Sequence, residues 1–139
     1  MMAKVENNNI ENNSNKRRLM IVDDEPDVIS MLEIVLEENG FNVDSFIDSI
    51  AALKNYKAGV YDLLILDIKM PKMDGFELYD EIKKIDDSAK VCFLTASEMY
   101  YKASRKEKYC SLDKDLFIQK PIANEDLVQE INRILTRIN

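Results

Sequence analysis

Leu63-Leu64-Ile65-Leu66-Asp67-Ile68-Lys69-Met70-Pro71-Lys72-Met73-Asp74-Gly75 is the stretch from which the fold can be read. Its first four residues are an unbroken apolar run of strand length, the pattern of a strand buried on both faces of a parallel sheet. Asp67 closes the run. Met70-Pro71 and Asp74-Gly75 carry turn chemistry, and Gly75 to Ile85 continues as a helical pattern. Strand, acidic end, turn and helix thus follow one another without a gap.

The same unit recurs on both sides. Leu19 to Val22, Val91 to Leu94 and Leu116 to Ile118 are further short apolar runs, and Val43 to Phe46 is a mixed one that suits a sheet edge. Between the first two lies Asp27 to Asn39, which is predicted to bury Val28, Met31, Leu32, Val35 and Leu36, with Pro26 in the first turn and Gly40 as its stop. Ser49 to Tyr56 and Ser97 to Tyr109 are weaker helical segments. In the last helix Leu127, Ile131, Ile134 and Ile138 recur at helical spacing, with Asn124 as its expected N-cap. Strands alternating with helices predict an α/β, doubly wound fold around a parallel sheet.

Residues capable of chemistry collect at the strand ends. Asp23 and Asp24 follow the first run, Asp67 ends the third, Thr95 ends the fourth, and Lys120 lies just past the fifth. In an open parallel sheet these carboxyl ends line one rim, where ligands bind. Several carboxylates in one pocket repel each other, and burying them unpaired is costly. A divalent cation resolves the conflict, and an all-oxygen set without His or Cys points to Mg²⁺ or another hard ion rather than zinc. With a lysine charge and a threonine hydroxyl beside a carboxylate nucleophile, the group suits transfer to an aspartyl phosphate.

Composition narrows the field further. The 139 residues fit one domain, with Met1 to Lys16 (Asn7, Asn8, Asn9, Asn12, Asn13 and Asn15 among them) expected to be a disordered lead-in and 17–139 the folded unit. There are 26 acidic against 19 basic residues, a net charge of −7, which opposes direct binding to nucleic acid. Neither a signal-peptide core nor a membrane-length apolar run is present, so a cytoplasmic location is expected. The chain has no histidine, which rules out His-based nucleophilic pairs and any internal phosphohistidine. The phosphoryl group must come from another molecule. Cys92 and Cys110 are expected to be reduced structural thiols.

Val22-Asp23-Asp24-Glu25-Pro26, Asp67 to Gly75, Leu94-Thr95-Ala96 and Lys120-Pro121 together resemble the signatures of response-regulator receiver domains of two-component phosphorelays. The resemblance covers about Arg18 to Ile138. It implies a flavodoxin-like (βα)5 fold of five parallel strands in the order 2-1-3-4-5, with Asp67 as phosphoacceptor. Asp24 would bind Mg²⁺ directly, Asp23 through water, and Lys69 through its backbone carbonyl. Thr95 and Lys120 would hold the phosphoryl oxygens, Phe117 would be the switching aromatic, and Lys120-Pro121 would carry a cis peptide bond. Such a domain is not a turnover enzyme, because it catalyses only its own phosphorylation and dephosphorylation. Its implied phosphodonor is a sensor histidine kinase or a phosphotransfer protein.

Departures from the family lie between Thr95 and Lys120, where Tyr109-Cys110-Ser111-Leu112-Asp113 stands in place of a small Gly-Ala turn. Lys102, Arg105, Lys106 and Lys108 with Tyr100, Tyr101 and Tyr109 read either as a solvated helix face or as a docking face, and the second reading makes this region, 97–120, the expected surface for an output protein. With the last helix at its end, the chain is expected to be a stand-alone receiver that signals through protein contacts. A constitutive docking scaffold is one alternative. A haloacid-dehalogenase-type phosphatase would need an acid where Lys69 stands, and a flavodoxin would need a Ser/Thr-rich first loop where Asp23 and Asp24 stand.

Overall fold

The computed structural model describes residues 16–96, 116–120 and 123–138. Its elements are β1 (Arg18–Val22), α1 (Pro26–Glu38), β2 (Asn42–Phe46), α2 (Ser49–Asn55), β3 (Leu63–Asp67), α3 (Gly75–Ile85), β4 (Val91–Thr95), β5 (Phe117–Gln119) and α4 (Asn124–Ile138). The expected helix Ser97 to Tyr109, Cys110, the basic cluster and Pro121 lie outside the described residues, as does nearly all of the expected lead-in.

All five strands are parallel, in the order β2-β1-β3-β4-β5. Each central strand sends alternate residues to opposite faces. Leu19, Ile21, Leu63, Ile65, Cys92, Leu94 and Ile118 pack with α1 and α4. Met20, Val22, Leu64, Leu66, Val91 and Phe93 pack on the other face with α2 and α3. Two apolar faces explain why β1, β3 and β4 read as unbroken apolar runs. The mixed run becomes β2, an edge strand whose five residues are all half-buried. The Cys92 thiol is free and buried, and its burial pushes its pKa up to about 12.

Two helix details differ from the sequence expectation. In α1 the buried residues are Ile29, Leu32, Val35 and Leu36. Met31 is 39% exposed, because the 100° step between residues centres the stripe on Ile29, Leu32 and Leu36 and leaves Met31 at its margin. Asn124 is the first residue of α4 and not its cap: the amide of Leu127 donates to the carbonyl of Ala123 at 2.9 Å, which makes Ala123 the residue that accepts the first intrahelical bond.

The junction from β3 to α3 is tightly built. Asp74 accepts from the Glu77 amide at 2.8 Å while the Glu77 carboxylate accepts from the Asp74 amide at 3.0 Å, a reciprocal capping box. The Met73 amide donates to the carbonyl of Pro71 at 2.8 Å, closing a three-residue turn around Lys72, whose φ is +69°. That is the strained, left-handed side of conformational space for a residue with a Cβ. Gly75 then comes back against the strand end, its amide donating to the Ile68 carbonyl at 2.8 Å.

A Cβ at position 75 would stand 2.3 Å from the Asp67 carbonyl oxygen and 3.0 Å from Ile68 Cα. Both are backbone atoms with no rotamer to yield. Gly75→Ala is therefore expected to lower stability by about 2–3 kcal/mol, as overpacking against fixed atoms does. Urea unfolding measures it; a midpoint equal to wild type would show that the loop yields freely.

Candidate functional site

Register brings the chemically active residues together. Val22 pairs with Leu66, so the next residues, Asp23 and Asp67, stand level at the carboxyl ends of β1 and β3. Asp67 pairs with Leu94, and Thr95 pairs with Gln119. β1 and β3 are neighbours although β2 lies between them in the chain and pairs on the far side of β1. Such a reversal of winding leaves a crevice at the strand ends. A cavity of about 470 Å³ opens there, lined by Asp24, Asp67, Lys69, Thr95 and Lys120 among others.

Asp23, Asp67 and Thr95 are buried. The Lys120 ammonium lies 2.6 Å from Asp23 Oδ2, 3.5 Å from Asp67 Oδ1 and 3.7 Å from Glu25 Oε1. Its backbone amide donates to the Thr95 carbonyl at 2.7 Å, which anchors the end of β5 to that of β4. Asp23 is held on its other oxygen too, where Oδ1 accepts from the Glu25 amide at 3.0 Å.

The electrostatics follow from this crowding. Burial raises the Asp67 pKa to about 7; repulsion from Asp23 and Asp24 adds to the rise, and Lys120 opposes it. Burial works against the Lys120 ammonium, but the Asp23 hydrogen bond and the charges of Asp67, Asp23 and Glu25 outweigh it and hold that pKa above its ordinary value. Carboxylate oxygens of Asp23, Asp24 and Glu25 lie within 4.8 Å of one another. A hard divalent cation fits this donor set: the ligands are all oxygen, and a positive charge would relieve the repulsion that burdens Asp67.

Asp23, Asp24, Asp67, Thr95 and Lys120 are thus brought together as the strand-end argument expected, and Lys69 reaches the cavity wall as an exposed residue. Phe117 is placed elsewhere. It is half-buried on the face opposite Ile118, stacked on Phe93 with centroids 5.2 Å apart and 6.1 Å from the Phe76 ring. Sequence reasoning missed the role of Glu25 beside Lys120 and the close approach of Gly75. The capping box was visible as Asp74-x-x-Glu77; the contact of Glu25, which joins residues far apart in the chain, had no local signal.

Comparison with known proteins agrees with this architecture. Residues 19–132 match the family described as response regulator receiver domain. The chain belongs to the response-regulator receiver family. It is 34% identical over 131 residues to a probable transcriptional regulator, ycf27, of Cyanidium caldarium, covering 93% of this chain and 51% of that protein. It is 32% identical to the transcriptional regulatory protein PrrA of Mycobacterium leprae, covering 86% of this chain and 50% of that protein. The chain therefore spans about half the length of these curated relatives. Among solved structures, the response regulator TrrA of Thermotoga maritima in complex with Mg²⁺-BeF is 33% identical, with a TM-score of 0.71, covering 85% of this chain and 98% of that chain. Among the described residues no helix is long and apolar enough to cross a membrane.

Because the folded pKa of Asp67 lies near 7, against 3.8 for a free carboxyl, the metal-free receiver holds more protons than its unfolded chain between these values. The stability this contributes is complete below pH about 4 and lost as the pH rises through about 7. Asp67→Asn removes the charge at high pH. In metal-free buffer it is expected to stabilise the protein by about 1–3 kcal/mol at pH 8, and by much less at pH 4. Thermal melting at the two pH values tests this; an equal difference at both would mean that Asp67 titrates normally.

Proposed function

We propose that this receiver is a phosphorelay switch in which Asp67 is the phosphoacceptor. The observation that carries the reading is the placement of the Asp67 carboxylate at the end of β3, inside a cavity that also holds Asp24, Thr95 and Lys120. A carboxylate oxygen of Asp67 attacks phosphorus, the bond to the donor breaks, and the leaving group takes the electron pair. The phosphorus stays on Asp67 as an acyl phosphate.

The chain's own residues divide the work. Lys120, 3.5 Å from Asp67, supplies positive charge where phosphoryl oxygens gather, and Thr95 supplies a hydroxyl donor. Asp24, Asp67 and the Lys69 carbonyl would hold Mg²⁺, with Asp23 acting through water. When bound, Mg²⁺ neutralises charge on the transferring phosphoryl group. A solved relative containing Mg²⁺-BeF, TrrA, supports this choice of ion. Phe117 is the candidate switch, since it lies three residues before Lys120 and stacks on Phe93 of the strand that carries Thr95.

With no histidine in the chain, the donor is a separate phosphohistidine, on a sensor histidine kinase or a phosphotransfer protein. The domain is a cytoplasmic signalling module without a turnover substrate, and its net charge of −7 disfavours direct contact of the domain with nucleic acid. The 97–120 segment remains the proposed output surface on sequence grounds, most of it outside the described residues.

Incubation with acetyl phosphate and Mg²⁺ should add one phosphoryl group, read by intact mass. Asp67→Ala should abolish the adduct, and Asp24→Ala should reduce Mg²⁺-dependent labelling at least tenfold while leaving the fold unchanged by circular dichroism. An adduct that persists in Asp67→Ala would sink the assignment.

A further inference from the structure

The residue before α1 behaves unlike its counterparts. Asp48 caps α2 by accepting from the Ile50 amide, and Asp74 caps α3 by accepting from the Glu77 amide. Glu25 stands at the corresponding position of α1 with extended backbone, yet its side chain makes no capping bond. Its carboxylate, one methylene longer than an aspartate, is turned toward Lys120 at 3.7 Å. The helix thus forgoes a stabilising cap.

Glu25 touches both members of the central ion pair. Its amide fixes Asp23 Oδ1, while Lys120 occupies Asp23 Oδ2. The Asp23 side chain is fully buried, that of Lys120 is 14% exposed and that of Glu25 is 63% exposed. Asp23 cannot keep Lys120 at 2.6 Å and also turn that oxygen toward a cation. If Asp23 gives up the ammonium, the largely buried lysine needs another anion, because an unpaired buried charge is costly. Asp67 is the other near carboxylate, and it is the group that must react. Glu25 and Lys120 also border a second, mainly apolar cavity of about 370 Å³, lined by Val28, Met31 and Leu127 among others. Among the described residues that line it, Glu25 is the one anion within reach of the ammonium.

We infer that Glu25 is a positioning residue for Lys120: it is a second resting place for the ammonium, taken up when Asp23 is engaged by a divalent cation. The inference rests on the Mg²⁺-dependent function proposed above. It differs from direct ligation by Glu25, because the effect passes through Lys120 and depends on side-chain reach as well as charge.

Amide chemical shifts in the Asp67–Asp74 loop, followed during Mg²⁺ titration, give the affinity without any phosphoryl chemistry. Glu25→Gln is expected to weaken Mg²⁺ binding three- to tenfold. Glu25→Asp keeps the charge but prefers the helix cap and falls short of Lys120. It should weaken binding to the same degree while raising the melting temperature of the metal-free protein. In a Lys120→Met background, adding Glu25→Gln should change Mg²⁺ affinity by less than twofold. Wild-type affinity in Glu25→Asp would overturn the inference in favour of simple charge. A loss from Glu25→Gln that persists in Lys120→Met would overturn it in favour of direct ligation. Unchanged affinity in Glu25→Gln, with wild-type binding intact, would overturn it alone. A wild-type protein that binds no Mg²⁺ would overturn it together with the proposed metal site.

Discussion

The gathering of Asp23, Asp24 and Asp67 at one rim of the sheet is the constraint to which much of this structure answers. Like charges at such spacing, with two of the three carboxylates buried, would push the strand ends apart unless something compensated them. The compensation arrives from far along the chain: Lys120 lies 97 positions beyond Asp23, to which it donates at 2.6 Å. β5 is a three-residue strand. Its place beside β4 sets the lysine, because the Lys120 amide is tied to the Thr95 carbonyl. The acidic pocket is therefore tolerable only in the complete sheet, and its electrostatics depend on the last strand to be added in chain order.

A second group of features fixes the position of Asp67. Gly75 packs against the Asp67 carbonyl, the capping box secures the start of α3, and the turn at Lys72 joins the two in a strained conformation. Behind the pocket, Phe76 sits 4.8 Å from Phe93, which in turn stacks on Phe117. The first turn of α3 and the strand that precedes Lys120 thus share one aromatic neighbour. At the other end of α3, Asp86 accepts from the Tyr56 hydroxyl at 2.7 Å and from the Gly59 amide at 3.3 Å, and the Ser88 and Tyr56 bonds hold its pKa down to about 2. α3 is pinned at both ends, and its beginning abuts the Asp67 backbone.

Much of this was legible in the sequence because it depends on local pattern. Strands buried on two faces must be apolar throughout, so β1, β3 and β4 announce themselves, and the mixed run at Val43 could be placed at an edge. Reactive residues at strand ends could be assigned to one rim, since parallel strands bring all such ends together. The errors came where local pattern underdetermines the answer. α1 has apolar residues around more than half its circumference, with Ile34 at 59% and Met31 at 39% exposure, so spacing alone could not tell which side meets the sheet. Asn124 is a good capping residue, but the first intrahelical bond of α4 goes to the Ala123 carbonyl. Glu25 reads as one more acidic residue in a helix entry, and its relation to Lys120 exists only once the sheet has closed.

Among the described residues Lys120 has three anions within 4 Å, and they are not equivalent: one is fully buried and amide-anchored, one is the proposed acceptor, and one is largely solvated. An ammonium with a single strong partner would be a fixed structural group, and moving it would leave a buried charge unpaired. Several partners at graded distances lower the cost of each displacement, because every position retains some compensation. Full conversion of a two-state switch from 1:99 to 99:1 requires about 5.5 kcal/mol of differential stabilisation. A pocket that already carries unresolved repulsion, expressed in an Asp67 pKa raised to about 7, can draw part of that difference from relieving its own crowding. On the proposed function, the acidic residues are then both the chemistry and a source of the driving force, and the lysine is the element through which the two are joined.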